Sequence, residues 1–139
     1  MKYLKKFNEE VENIDSVSNT IEDILIPLDD IGCKIEITDS ERAPSILRGP
    51  ENILENITIK ITNEEEFNIK SSDCIDSIEH LFRYLHHLHF GYFITVFNNY
   101  WDHEYNVHMV KSKMIDREDI FKLPSMVKLV IRIQRMVEI

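Results

Sequence analysis

The chain has 139 residues, of which 43% are hydrophobic and 29% are charged, and this composition predicts one globular domain spanning 1–139. Its formal net charge of −9 disfavours direct binding to nucleic acid, because Lys and Arg that neutralise phosphates supply most of that affinity. Two cysteines outside any C-x-x-C pair exclude a disulfide framework, and no apolar run is long enough to span a membrane, so we expect a cytoplasmic protein.

The first predicted element is an amphipathic helix. Apolar residues from Phe7 to Ile31 recur at steps of three and four, which is the helical period. Pro27 lies inside this pattern and predicts a kink or break one turn before the end. Gly32 follows the last apolar residue, at the position where a left-handed residue commonly ends a helix.

Alternation of apolar and polar residues then predicts strands at 33–38, 57–62, 67–70, 92–97 and 105–111. A second amphipathic helix begins at Ser72 or Asp73 and ends near Gly91. We expect a polar turn at 63–66, a turn at 98–103 and a short helical turn at 116–121. The last segment, 126–139, fits either a helix or a strand, and its β-branched residues favour a strand.

Together these elements predict a single α+β domain with a mainly antiparallel sheet of about five or six strands and two amphipathic helices packed on it. Segment 126–139 is apolar, and we expect it to be buried or paired. An apolar edge strand invites pairing with another chain, so this segment also suggests a homo-oligomer.

The run from Ile21 to Ile37, IEDILIPLDDIGCKIEI, resembles a helix-to-strand junction of small uncharacterised accessory proteins of T4-like phages. The resemblance implies a phage accessory role in the host cell cytoplasm and no particular activity. The composition agrees with an AT-rich coding genome, since the chain contains 21 isoleucines and one alanine, Ala43.

The first candidate site is the connection between the first two predicted strands. Arg42 and Arg48 lie there beside Ala43-Pro44 and Gly49-Pro50, and the two arginines can act as an anion clamp. The chain has no glycine-rich phosphate-binding loop, and an ordinary surface loop is the alternative interpretation.

All six histidines lie between His80 and His108. His80, Arg83 and His87 share one stripe of the second helix, which makes them candidates for contact with an anionic ligand. No H-E-x-x-H or equivalent spacing is present, so we predict no metal and no cofactor. On a wheel of the same helix, His86 lies at the edge of the apolar face and His89 lies within it. A solvated polar face, with His89 packed in the core, is the alternative interpretation of this stripe.

Trp101 and His103 lie in the predicted turn at 98–103. Trp is enriched in interface hot spots, so this turn is a candidate contact surface, and the alternative is that Trp101 folds back over the sheet.

For function we expect a non-enzymatic binding protein, a phage or viral accessory factor that acts through a host protein. Residues 9–79 hold 19 acids against 5 bases, so it can act as an acidic mimic of nucleic acid, although such an excess can serve solvation alone. The alternatives are a small metal- or histidine-dependent enzyme and a small-anion binder that uses the stripe of His80, Arg83 and His87.

Overall fold

The computed structural model describes residues 14–41, 52–123 and 125–138. Within them, four helices and five strands follow in chain order, namely α1 (Ile14–Ile24), α2 (Ile26–Asp30), β1 (Lys34–Glu41), β2 (Asn52–Phe67), α3 (Ser72–His87), β3 (Gly91–Asp102), β4 (Val107–Ile115), α4 (Arg117–Ile120) and β5 (Met126–Glu138). The strands form one antiparallel sheet in the order β1-β2-β5-β3-β4. The predicted α+β class is confirmed.

The predicted break near Pro27 is present. α1 ends at Ile24, and α2 begins two residues later with Pro27 in its first turn, where a missing backbone N–H costs nothing. Gly32 then adopts a φ of +96°, and the N–H groups of Gly32 and Cys33 donate to carbonyls of the last turn of α2. This left-handed closure turns the chain directly into β1, as the sequence predicts.

α3 ends with the same type of closure, but its left-handed residue is a histidine. His89 has a φ of 59°, and the Phe90 N–H donates to the Leu85 carbonyl at 3.0 Å. The expectation from the helical period, that His89 packs in the core, is wrong. Its side chain is exposed because the left-handed residue leaves the helical path and breaks the periodicity.

Two predicted turns are absent, because strands continue through them. β2 runs through 63–66 with a register irregularity between Thr62 and Phe67, and β3 runs through 98–102 paired with β4. The hairpin turn lies at 103–106 instead. The Asp102 carboxylate accepts the backbone N–H groups of Glu104 at 2.9 Å and Tyr105 at 3.1 Å, which stabilises the turn after the strand rather than within it.

The core lies between one face of the sheet and α1–α3. Ile59, Ile131 and Ile94 occupy neighbouring positions on β2, β5 and β3, and each is at most 2% exposed. α3 contributes Leu81 and Leu85 to the same core. Full burial of such a side chain is worth about 1.5–3 kcal/mol, so this cluster is the main source of stability.

β5 is the central strand of the sheet. Its residues 128–134 pair with β2 on one side and with β3 on the other, while β1 and β4 form the edges. The strand prediction for 126–139 is confirmed as far as the described residues extend. Residues 128–134 are not an edge strand, as the expected homo-oligomer through 126–139 assumed, because both of their sides are already paired. The homo-oligomer itself stays a prediction.

Candidate functional site

The two faces of the sheet differ in what covers them. α1–α3 pack against one face, whereas no described helix or strand covers the other, which we call the open face. The sheet register assigns its side chains, because residues that are paired across strands project to the same side. The described side chains of the open face are Lys34, Glu36, Thr38, Asn56, Thr58, Lys60, Thr62, Phe93, Thr95, Phe97, Asn99, Trp101, His108, Val110, Ser112, Met114, Lys128, Val130, Arg132 and Gln134.

The open face is basic although the chain is acidic. It carries Lys34, Lys60, Lys128 and Arg132 against the single carboxylate of Glu36, so these described side chains sum to +3 in a chain of net −9. Lys60 and Arg132 are exposed to solvent. A local excess of this sign attracts acidic groups of a partner.

The same face exposes large apolar side chains beside these bases. Phe93 is 49% exposed, Trp101 40% and Met114 65%. The register places Phe93 next to Arg132, and the Lys128 Nζ lies 4.8 Å from the centre of the Phe97 ring. Aromatic side chains next to cations are typical of the anchor residues of protein interfaces.

The helical side has the opposite charge. Among their described side chains, α1, α2 and α3 expose one basic residue, Arg83, and six acidic ones, which are Glu22, Asp23, Asp29, Asp30, Asp76 and Glu79. The described charges are therefore separated between two sides of the domain.

Most of the site residues that were predicted from the sequence do not lie together in the structure. Arg42 and Arg48 lie outside the described residues. His80, Arg83 and His87 are all exposed on α3, and none of them forms a hydrogen bond or ion pair with another residue of the described segments. His80 lines a groove beside α1. No other described Lys, Arg or His lines this groove, so the stripe does not form a cationic pocket there.

Trp101 and His103 are separated. Trp101 lies on β3 rather than in a turn, and its ring meets that of His108 edge-on at 4.8 Å between centroids. His103 is exposed in the turn at 103–106. Trp101 therefore belongs to the open face and His103 lies outside it, and the role of Trp101 in contact stays a prediction.

The structure instead brings together His86, Tyr92 and Arg117. The Tyr92 hydroxyl lies 3.1 Å from His86 Nε2, and a guanidinium nitrogen of Arg117 lies 3.3 Å from each nitrogen of the His86 ring. The Tyr92 ring stacks on Phe82 at 5.2 Å between centroids. These three groups form the polar wall of a cleft between α3, β3 and α4.

The two thiols are unsuited to nucleophilic chemistry. Cys33 and Cys74 are both buried. Burial raises the pKa of the Cys33 thiol above its ordinary value of 9.0, and the hydrogen bond from Asn63 only partly offsets this effect. A thiol with a raised pKa holds little thiolate at neutral pH. The described residues also contain no group of three His, Cys, Asp or Glu that could hold a metal ion.

Comparison with known proteins gives no relative. No family model, no curated protein and no solved structure matches the chain. None of the helices in the described segments is both long and apolar enough to cross a membrane.

Neither the open face nor the cleft was predicted from the sequence. The signal for the open face is the set of outward positions of the strands, where Phe93 and Phe97 alternate with buried residues and Lys128 and Arg132 do the same on β5. Counting charge along the chain hid this pattern, because these bases come from three strands that are distant in sequence.

Proposed function

We propose that this chain is a non-enzymatic binding protein that acts through a protein partner, and that the open face receives an acidic segment of that partner. The observation that carries the proposal is a sheet face that no described helix or strand covers, whose described side chains sum to +3 and which exposes Phe93 and Trp101. Acidic groups of the partner meet the four bases, while its apolar side chains pack on the aromatic rings.

A protein fits this face better than a nucleic acid. Binding to single strands gains affinity from phosphate contacts, and four cations give a salt dependence with a slope of only about −3. The remaining charge of the chain repels a polyanion that extends beyond the face. Phe, Trp and Arg side chains, in contrast, anchor protein interfaces of ordinary size.

The helical side supports a second candidate function, an acidic mimic of nucleic acid. Among its described side chains, six exposed carboxylates stand against Arg83 and suit a basic partner. This interaction is expected to weaken strongly with salt, because exposed charges are screened over about 10 Å at 0.1 M ionic strength.

We also propose that the chain is a phage accessory protein. Its isoleucine-rich composition and the resemblance at Ile21–Ile37 support this origin. A metal- or histidine-dependent enzyme has less support, because His80, His87 and His103 have no common point of convergence among the described side chains.

Site-specific photocrosslinking in the producing cells tests the proposal. A photoreactive phenylalanine analogue at Phe93 is expected to form an adduct with one protein, through a peptide rich in Asp and Glu. The same analogue at Ile26, which is 50% exposed on the helical side, is the matched control and is expected not to form that adduct. Equal adducts at both positions, an adduct with nucleic acid, or an adduct within the chain itself would contradict the proposal.

A further inference from the structure

A cleft of about 870 Å³ opens at the corner of the domain where α3 ends and β3 begins. It exists because β4 stops at Ile115, opposite Ile94, so that residues 91–93 of β3 have no β4 partner. α4 crosses beside this gap and adds its side chains to the wall. The apolar side chains of the wall are Phe90, Phe93, Ile94, Met114, Ile115 and Leu123.

The polar wall has an internal order of donors and acceptors. The contacts of His86 are compatible with either tautomer of its ring. In the tautomer where Nδ1 accepts from Arg117 and Nε2–H donates to the Tyr92 oxygen, the Tyr92 O–H is left to donate to a ligand. Burial raises the pKa of Tyr92 above its ordinary value of 10.0, against the opposing effect of Arg117, so the phenol keeps its proton at neutral pH.

Arg117 is a cation held by neutral groups. Its contacts are His86, Tyr92 and the Phe82 ring, whose centre lies 6.0 Å from Cζ, and no carboxylate of the described residues forms an ion pair with it. A guanidinium has five N–H donors, so most of them remain to be satisfied. Its planar fork matches the two oxygens of a carboxylate.

The remaining charges of the cleft select the charge of the ligand. Lys113, Lys122 and Arg117 are balanced by three acids, Asp116, Glu118 and Asp119, and Lys122 already pairs with Asp119 at 3.3 Å. Because these six charges sum to zero, the cleft is expected to bind a ligand with one negative charge more readily than a ligand with two. A dianionic phosphate ester is repelled by the neighbouring carboxylates.

We propose that this cleft binds a small monocarboxylate with an apolar body, whose carboxylate is held by Arg117 and the Tyr92 hydroxyl and whose body lies against Phe90 and Leu123. The proposal does not require the partner that docks on the open face, although Phe93 lies on that face and also lines the cleft. We prefer it to the stripe of His80, Arg83 and His87 as the site for a small anion, because Arg117 contacts His86 and Phe82 and lines the cleft, whereas Arg83 forms no hydrogen bond or ion pair with another described residue.

NMR titration of the full chain with 3-phenylpropionate tests the proposal. We expect saturable shifts of the amides lining the cleft and a Kd of about 0.1–3 mM, the range for a compound of this size. Arg117→Gln is expected to weaken binding at least tenfold, since it removes the charged fork, and Tyr92→Phe about three- to tenfold. Arg83→Gln, which removes an exposed arginine outside the cleft, is the matched control and is expected to change nothing.

Two further compounds separate the possible sources of affinity. Phenyl phosphate is expected to bind more weakly than 3-phenylpropionate, and 3-phenylpropanol, which lacks the carboxylate, more weakly still. The proposal is overturned by unchanged affinity in Arg117→Gln with its amide spectrum intact, by tighter binding of phenyl phosphate, or by no saturation up to about 10 mM, above the expected range.

Discussion

Replacement of Ile131 by alanine is expected to lower the free energy of unfolding by about 2–5 kcal/mol. Ile131 is fully buried at the centre of β5, between Ile59 of β2 and Ile94 of β3, and the helices cover this row of side chains. The loss combines transfer of the missing carbons with the cavity that they leave. Urea unfolding followed by circular dichroism measures it.

Ile26→Ala is the matched control, because the same atoms are removed from a side chain that is 50% exposed, and its expected cost is below about 1 kcal/mol. Domains have a total stability of about 5–15 kcal/mol, so Ile131→Ala can unfold a marginal chain. Ile131→Val, with an expected cost of about 0.5–1.5 kcal/mol, then provides the measurement. A cost at Ile131 no larger than at Ile26 would show that β5 is not the central strand.

The double substitution Lys60→Glu and Arg132→Glu is expected to weaken binding of poly-L-glutamate at least tenfold. It changes the local charge of the open face from +3 to −1, and each exposed ion pair that is lost contributes about 0.2–1 kcal/mol, with repulsion added in its place. Trp101 is the only tryptophan and lies on this face, so its fluorescence reports the titration directly.

The matched control for this variant is Lys70→Glu with Lys111→Glu. It changes the net charge by the same amount, but both side chains are exposed outside the open face. We expect its affinity for poly-L-glutamate to stay within about threefold of that of the unchanged chain, because the lost attraction is distant and screened. Equal loss in both variants would mean that only net charge matters and that the open face is not a site.

The local structure of this chain was predictable where a single residue determines the backbone conformation. Pro27 marks the division between α1 and α2, and Gly32 adopts the left-handed conformation that its position predicts. Strand alternation also identified the buried isoleucines of β2. His89 was missed because a left-handed histidine has no signal in the hydrophobic pattern.

The order of the strands was not predictable from the pattern. An apolar strand near the end of a chain fits an edge or a centre equally well by its composition, and only pairing of 128–134 with both β2 and β3 places β5 in the middle. Because β5 lies between the β1–β2 pair and the β3–β4 pair, Arg132 lies beside Phe93. This placement brings the bases and the aromatic rings of the open face together.

The cleft depends on contacts between distant parts of the sequence. Arg117 is 31 residues from His86, and it reaches that ring only because β3 and β4 return the chain to the end of α3. On a helix wheel of α3, His86 lies beside the apolar stripe. The wheel cannot show which side chain of another element contacts His86. The sequence therefore favoured His80 and His87, which share a helix face and lack such a partner among the described residues.

The central claim is that the described charges are divided between a basic, aromatic sheet face and an acidic helical side, and that the basic face binds. Amide NMR shifts of the chain titrated with poly-L-glutamate, and separately with poly-L-lysine, test this most directly. We predict that poly-L-glutamate shifts residues of the open face around Phe93, Lys128 and Arg132, and that poly-L-lysine shifts α1–α3. Shifts from poly-L-glutamate that spread over both sides, or that are confined to the cleft at Arg117, would contradict the account.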